Sequence, residues 1–136
     1  MARKTKRVRV DRSDSPRYAS VGQEFTRAAE LAQEFVYWTA AGLLMVHASI
    51  AYADAVAIRL AGLKSTSDDH LDAVTLLAEA AAEAPDRDPA LQHLRRIIDE
   101  KNRVAYSGDA LREREVTALA THATRFRTWA MKILEA

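Results

Sequence analysis

From Leu43 to about Leu63 the chain is apolar on most sides that a helix could turn outward. Leu43, Leu44, Val46, Ile50, Ala53, Ala57, Ile58 and Leu60 leave no wide polar stripe. A helix of this kind must be covered on several sides, which makes it the central member of a bundle. The longest apolar stretch, Trp38 to Ala53, is interrupted by His47 and ends at Asp54. That is short of the roughly 20 residues a membrane span needs. The rest of the composition agrees with a bundle. The 136 residues include 27 alanines but only 4 glycines and 3 prolines. Such a chain favours helix and lacks the turn residues of an all-β fold. Its length suits one domain with a real core. The absence of cysteine excludes disulfides and thiolate metal sites. No Gly-rich phosphate loop is present.

Apolar periodicity divides the chain into five helices. Ser15-Pro16 supplies a side-chain acceptor and a proline where a helix begins. Val21, Phe25, Ala28, Ala32, Phe35 and Val36 then recur at helical steps, predicting a first helix to about Tyr37. Trp38–Gly42 is expected as a joint, and the central helix follows to about Leu63. Lys64–Ser67 is a polar break, with Asp68 and Asp69 suited to a helix N-terminus. The third helix is expected to run to about Ala84, before Pro85. Asp88-Pro89 starts a fourth, whose stripe is Leu91, Leu94, Ile97, Ile98, Lys101, Val104 and Ala105, with Gly108 as its end. The fifth carries Val116, Leu119, Ala120, Ala123, Phe126, Ala130, Ile133 and Leu134. Short connections imply antiparallel neighbours. The expected fold is all-α: a five-helix up-and-down bundle over residues 15–136, one domain.

Charge is unevenly placed. Residues 1–12 hold Arg3, Lys4, Lys6, Arg7, Arg9 and Arg12 against Asp11 alone, while residues 13–136 are net acidic. Residues 1–14 are therefore expected to be a flexible basic arm, and deletion of residues 1–12 to leave thermal stability nearly unchanged. Such an arm would bind nucleic acid without sequence preference. Val8 and Val10 alternate with arginines, so a short strand added to a partner is the other reading. The first twelve residues lack the apolar core of a signal peptide, and a soluble cytoplasmic protein is expected.

Chemistry-bearing residues are few. None of the four histidines forms an HExxH pair, and no metal or other cofactor is implied. His47 and Asp54 lie two turns apart on one helical face, placed to meet a ligand or a partner helix; the alternative is core-edge polar groups satisfied by neighbouring helices. His70 follows two aspartates at a helix start, where capping or packing competes with binding. Lys101 falls on the apolar stripe of the fourth helix, so it must snorkel, pair with an acid or face a site. Tyr106 follows five residues later, near the same helix end.

The segment Lys101-Asn102-Arg103-Val104-Ala105-Tyr106 resembles the motif of the HEPN superfamily, an arginine, a polar residue, three variable residues and a histidine. Lys101 stands for the arginine, Asn102 matches the polar residue and Tyr106 stands for the histidine. His47–Ala55, the Gly62 break and Asp69-His70 are similar to the second-helix and loop region of small HEPN proteins. The resemblance implies a helical bundle that dimerises. In active members it implies a metal-independent ribonuclease, often a toxin paired with a nucleotidyltransferase-type antitoxin. Lysine binds phosphate as a point charge rather than a fork, and tyrosine is a poor base at neutral pH. The expectation is therefore a non-catalytic HEPN-like binding or interaction module, homodimeric, in a toxin–antitoxin or nucleotide-related setting. The alternatives are a weak ribonuclease using Lys101, Asn102 and Tyr106, or a structural helical protein with a nucleic-acid-binding tail.

Overall fold

In the computed structural model, which describes residues 6–136 except the side chains of Ala105 and Tyr106, the elements are β1 (Arg7–Arg9), α1 (Ser15–Glu34), α2 (Trp38–Ala61), β2 (Leu63–Ser65), α3 (Leu71–Ala80), α4 (Arg87–Ser107) and α5 (Glu113–Leu134). A 3-10 turn at Arg12–Asp14 leads into α1. Of the described residues 76% are helical, so the all-α class and the five helices are as expected.

The central place of α2 follows from its side chains. Ala41, Val46, Ala55, Val56 and Ile58 are almost fully enclosed. The helix contacts α1, α3, α4 and α5. At 24 residues it is long and apolar enough to cross a membrane, longer than the Trp38–Ala53 stretch suggested, but 72% of its apolar window is buried within the bundle. Close approach of α1 rests on small residues. Gly22, Ala29 and Ala32 are buried, and a Cβ at Gly22 would stand 3.0 Å from the Tyr52 ring. Gly22 lies against Tyr52 and Phe25 against His47, so α1 and α2 run antiparallel. In the same way His93 meets His122 and Arg103 meets Glu115 across the α4–α5 hairpin.

Several boundaries differ from expectation for local reasons. Ser15 is not the cap but the first helical residue, and it is buried; Asp14 precedes it. The α1–α2 joint is Phe35–Tyr37, not Trp38–Gly42. Val36 N–H donates to the Gln33 carbonyl and Tyr37 N–H to the Ala32 carbonyl. This is the bonding pattern of a Schellman ending, which usually places glycine at the left-handed position. Here Val36 occupies it at φ 64°. Gly42 lies inside α2, where a Cβ would meet Leu111 Cδ1 at 2.3 Å. Leu111 N–H donates to Thr39 Oγ1 at 2.9 Å, fixing the α4–α5 loop to the start of α2. At the other end of α2, Gly62 takes the left-handed conformation and returns its N–H to the Ile58 carbonyl. Helix α3 stops at Ala80, short of Ala84, because residues 81–86 turn on backbone bonds and Trp129 Nε1–H donates to the Pro85 carbonyl. Helix α4 starts at Arg87, one residue before Asp88.

The flexible arm is corrected over residues 7–14. β1 pairs antiparallel with β2, Arg7 opposite Ser65 and Arg9 opposite Leu63. Val10 N–H donates to the Gly62 carbonyl, and Thr66 N–H to the Lys6 carbonyl. Arg7 bridges to Glu79 at 2.7 Å. Asp11 accepts both N–H and O–H of Ser13, closing the 3-10 turn. The strand expected for a partner is therefore added to the chain's own α2–α3 connection. Residues 1–5, with Arg3 and Lys4, lie outside the described residues.

Candidate functional site

The polar residues that stand out in sequence on α2, on the α3 entry and on α4 converge at His70. Its imidazole is held below the ordinary histidine range, first by partial burial and then by the positive charge of Lys101 and by His47; Asp69 and Asp68 oppose the shift. Groups remote in sequence are thus within electrostatic reach of one ring. His47 is exposed on α2, its ring 5.6 Å from Phe25 of α1. Lys101 and Asn102 are half-buried on α4.

The loop before α3 positions His70 through its neighbours. Ser67 Oγ donates to Asp72 Oδ2 at 2.5 Å and accepts from Asp69 N–H at 3.2 Å. Asp69 Oδ1 in turn accepts Leu71 N–H at 3.0 Å, the bond of a helix start. His70 occupies the cap position but makes no side-chain cap bond. Capping is the work of Asp69, and the imidazole of His70 is left for other use. The Tyr106 side chain lies outside the described residues.

Two turns along α2 from His47, Asp54 is pushed up to about 6 by burial, with Lys64 of β2 opposing. The Lys64 ammonium stands 5.3 Å from the Tyr18 ring centre, a cation–π contact from α1. The carboxylate therefore faces a lysine held by the arm-bearing end of the fold. Of the arm residues, Arg7 is tied to Glu79, which raises its pKa further by hydrogen bonding. Lys6, Arg9 and Arg12 are exposed. The arm's charge is thus partly anchored on the body.

A second polar cluster arises only from tertiary packing. His93 Nδ1 and His122 Nδ1 lie 2.9 Å apart between α4 and α5. One ring donates and the other accepts, so at least one is neutral. Both are lowered chiefly by burial, and the positive charges of Arg96 and Arg125 add to the effect. Beside them is a cavity of about 380 Å³ lined by Arg96, Asp99, Glu100, Arg114, Glu115 and His122. Its acids and bases are mixed, and Arg103 ties Glu100 to Glu115. Spacing along one helix could not reveal the pair. Reflection about the Gly108 break could, since His93 and His122 stand at nearly equal distances from it. Among the described residues no three histidines or carboxylates are grouped to hold a metal ion.

Between the ends of α2 and α5 and the α3–α4 turn lies an apolar cavity of about 660 Å³, with Leu60, Pro85, Trp129 and Ile133 in its wall. None of His47, Asp54, His70 and Lys101 lines it.

Comparison with family models, with curated proteins and with solved structures found no match.

Proposed function

We propose that this chain is a non-catalytic, HEPN-like helical binding module, soluble and cytoplasmic, that takes a phosphate-bearing ligand such as RNA or a nucleotide. The observation that carries this is the convergence of Lys101 and His47 on His70 from three separate segments. A lysine on an otherwise apolar stripe then lies within electrostatic reach of the His70 imidazole, which can also donate to a phosphate oxygen. Catalysis does not follow from this group. Lysine lacks the arginine fork, and a tyrosine, which holds its proton at neutral pH, is a poor general base at position 106. On the same resemblance, a nucleotidyltransferase-type antitoxin is the partner protein.

Titration of a short RNA by fluorescence anisotropy tests the site. Lys101→Ala should weaken binding about tenfold, the scale of one lost charge-assisted contact. Acidification should tighten it as His70 gains charge, and at a lower pH than an ordinary histidine would, because burial and Lys101 hold its value down. Binding unchanged in Lys101→Ala and His70→Ala removes the site. Metal-free cleavage of RNA by the wild type, lost in Lys101→Ala and in Tyr106→Phe, replaces the module with a ribonuclease.

A further inference from the structure

Helices α1 and α5 each pack on α2, and the side of α2 between them is the floor of a groove. Part of this groove is a cavity of about 120 Å³. Buried Ala29, Met45 and Ala48 form its bottom with half-buried Ala120 and Ala123. Two hydroxyls there are already engaged. Ser49 Oγ donates to the Met45 carbonyl and Thr26 Oγ1 to the Gly22 carbonyl, each at 2.9 Å. The bottom is therefore apolar in effect. Its walls carry two opposite charges, half-buried Arg127 of α5 and exposed Glu30 of α1. Neither makes a hydrogen bond or an ion pair among the described residues. Arg127 also lines a neighbouring cavity of about 470 Å³, and Tyr52 lines both. The Tyr52 ring lies beneath Gly22 and is only 4% exposed, yet its hydroxyl has no partner among the described residues and is not sealed from solvent.

A half-buried guanidinium offers five N–H donors in a fixed fork, and a carboxylate accepts from it through two parallel bonds. Here no protein carboxylate does so, although Glu30 and Glu135 stand in the walls of the two cavities. Opposite charges that share one cavity without pairing suit an occupant that carries both signs. We propose that this cavity binds a free α-amino acid with a branched aliphatic side chain. Its carboxylate lies on Arg127, with the Tyr52 hydroxyl as a further donor, its ammonium on Glu30 and its side chain on the alanine floor. A simple carboxylate would leave Glu30 beside an apolar body, and a simple amine would leave Arg127 without an acceptor. Volume selects the side chain. The cavity is smaller than the ~150 Å³ that admits a benzene ring, so an aliphatic branch fits and an aromatic ring does not. None of His47, His70 and Lys101 lines it, so the site is independent of the phosphate-ligand reading.

Isothermal titration calorimetry of the full chain with L-leucine tests the site, with circular dichroism to confirm that each variant is folded. Two further probes separate the charges of leucine: isocaproate lacks the ammonium and isopentylamine lacks the carboxylate. Leucine should bind saturably, and each analogue about tenfold more weakly or worse, the scale of one lost charge-assisted contact. L-phenylalanine should be weaker than leucine by a similar factor. Arg127→Gln should weaken leucine and isocaproate alike, about tenfold. Glu30→Gln should weaken leucine by as much and leave isocaproate unchanged. That difference between two ligands cannot arise from misfolding. Absence of saturable leucine binding at millimolar concentration overturns the proposal. Leucine binding that is indifferent to Arg127→Gln does the same, because the amino acid then lies elsewhere. So does isocaproate that binds as tightly as leucine, which would make the cavity a monocarboxylate site. RNA binding by the two variants is read separately, so failure here and failure at His70 are distinguishable.

Discussion

Asp54 shows how one residue sets a pH profile. Its carboxyl is raised to about 6 because burial disfavours the charge more than Lys64 favours it. The folded state therefore holds a proton that the unfolded state has released, and stability from this group is present below about pH 4 and lost as pH rises through 6. His93 and His122 act with the opposite sign. Their lowered values mean that the unfolded chain takes up protons first, so their contribution is full above about pH 6.5 and lost on acidification. Asp54→Asn should stabilise the protein by about 1–3 kcal/mol at pH 7.5, given that each tenfold change in proton affinity between folded and unfolded chains corresponds to ~1.4 kcal/mol. Urea unfolding at a series of pH values checks this. The variant should also lose the fall in stability between pH 4 and 6 while keeping the histidine-driven rise that is complete by about pH 6.5. A variant less stable than wild type at pH 7.5 would mean the Asp54–Lys64 attraction outweighs burial. His47 and Lys101 were legible because each broke an apolar pattern, and His70 because it follows two aspartates at a helix start. The His93–His122 pair broke none on its own helix, since its meaning exists only between helices.

At the scale of elements, the five helices were legible because each carries an apolar face at helical period. Their ends were less so, and the reasons are specific. Around Val36 the apolar pattern runs without a break through Phe35, Val36, Tyr37 and Trp38, and no glycine announces the turn. The backbone turns there nevertheless, because α1 must fold back onto α2 and the Schellman bonds of Val36 and Tyr37 can form. A β-branched residue in the left-handed region is disfavoured. Val36→Gly should therefore raise stability by about 1 kcal/mol, read as a higher urea midpoint at unchanged slope. An unchanged or lower midpoint would show that the exposed valine side chain stabilises the corner more than its backbone strains it. Helix α3 misled in the other direction: its alanines continue past Ala80 in composition, while the turn is held by Trp129 from the far end of the chain.

For the whole molecule, the arm changes the account most. Three residues of strand are too few for a period, so β1 and β2 were invisible as a pair, and Lys64–Ser67 read only as a polar break. The structure spends Arg7, Val8 and Arg9 on backbone pairing and one surface ion pair. Deleting residues 1–10 should therefore cost about 1–2 kcal/mol rather than nothing, while leaving helix content intact. Thermal melts of the truncated and full chains decide between these outcomes; equal midpoints would return the arm to solvent. The pairing also has a history in time. β1 is made first by the ribosome, yet its partner is more than fifty residues further along and lies beyond the whole of α1 and α2. Closing so long a loop for so few bonds is worthwhile only once α2 and the Gly62 turn are in place. During synthesis the basic segment must stay unpaired until those fifty residues have emerged. In the finished protein the same pairing should be among the first to open, and amide exchange at Val10 and Thr66 should outpace that of α2.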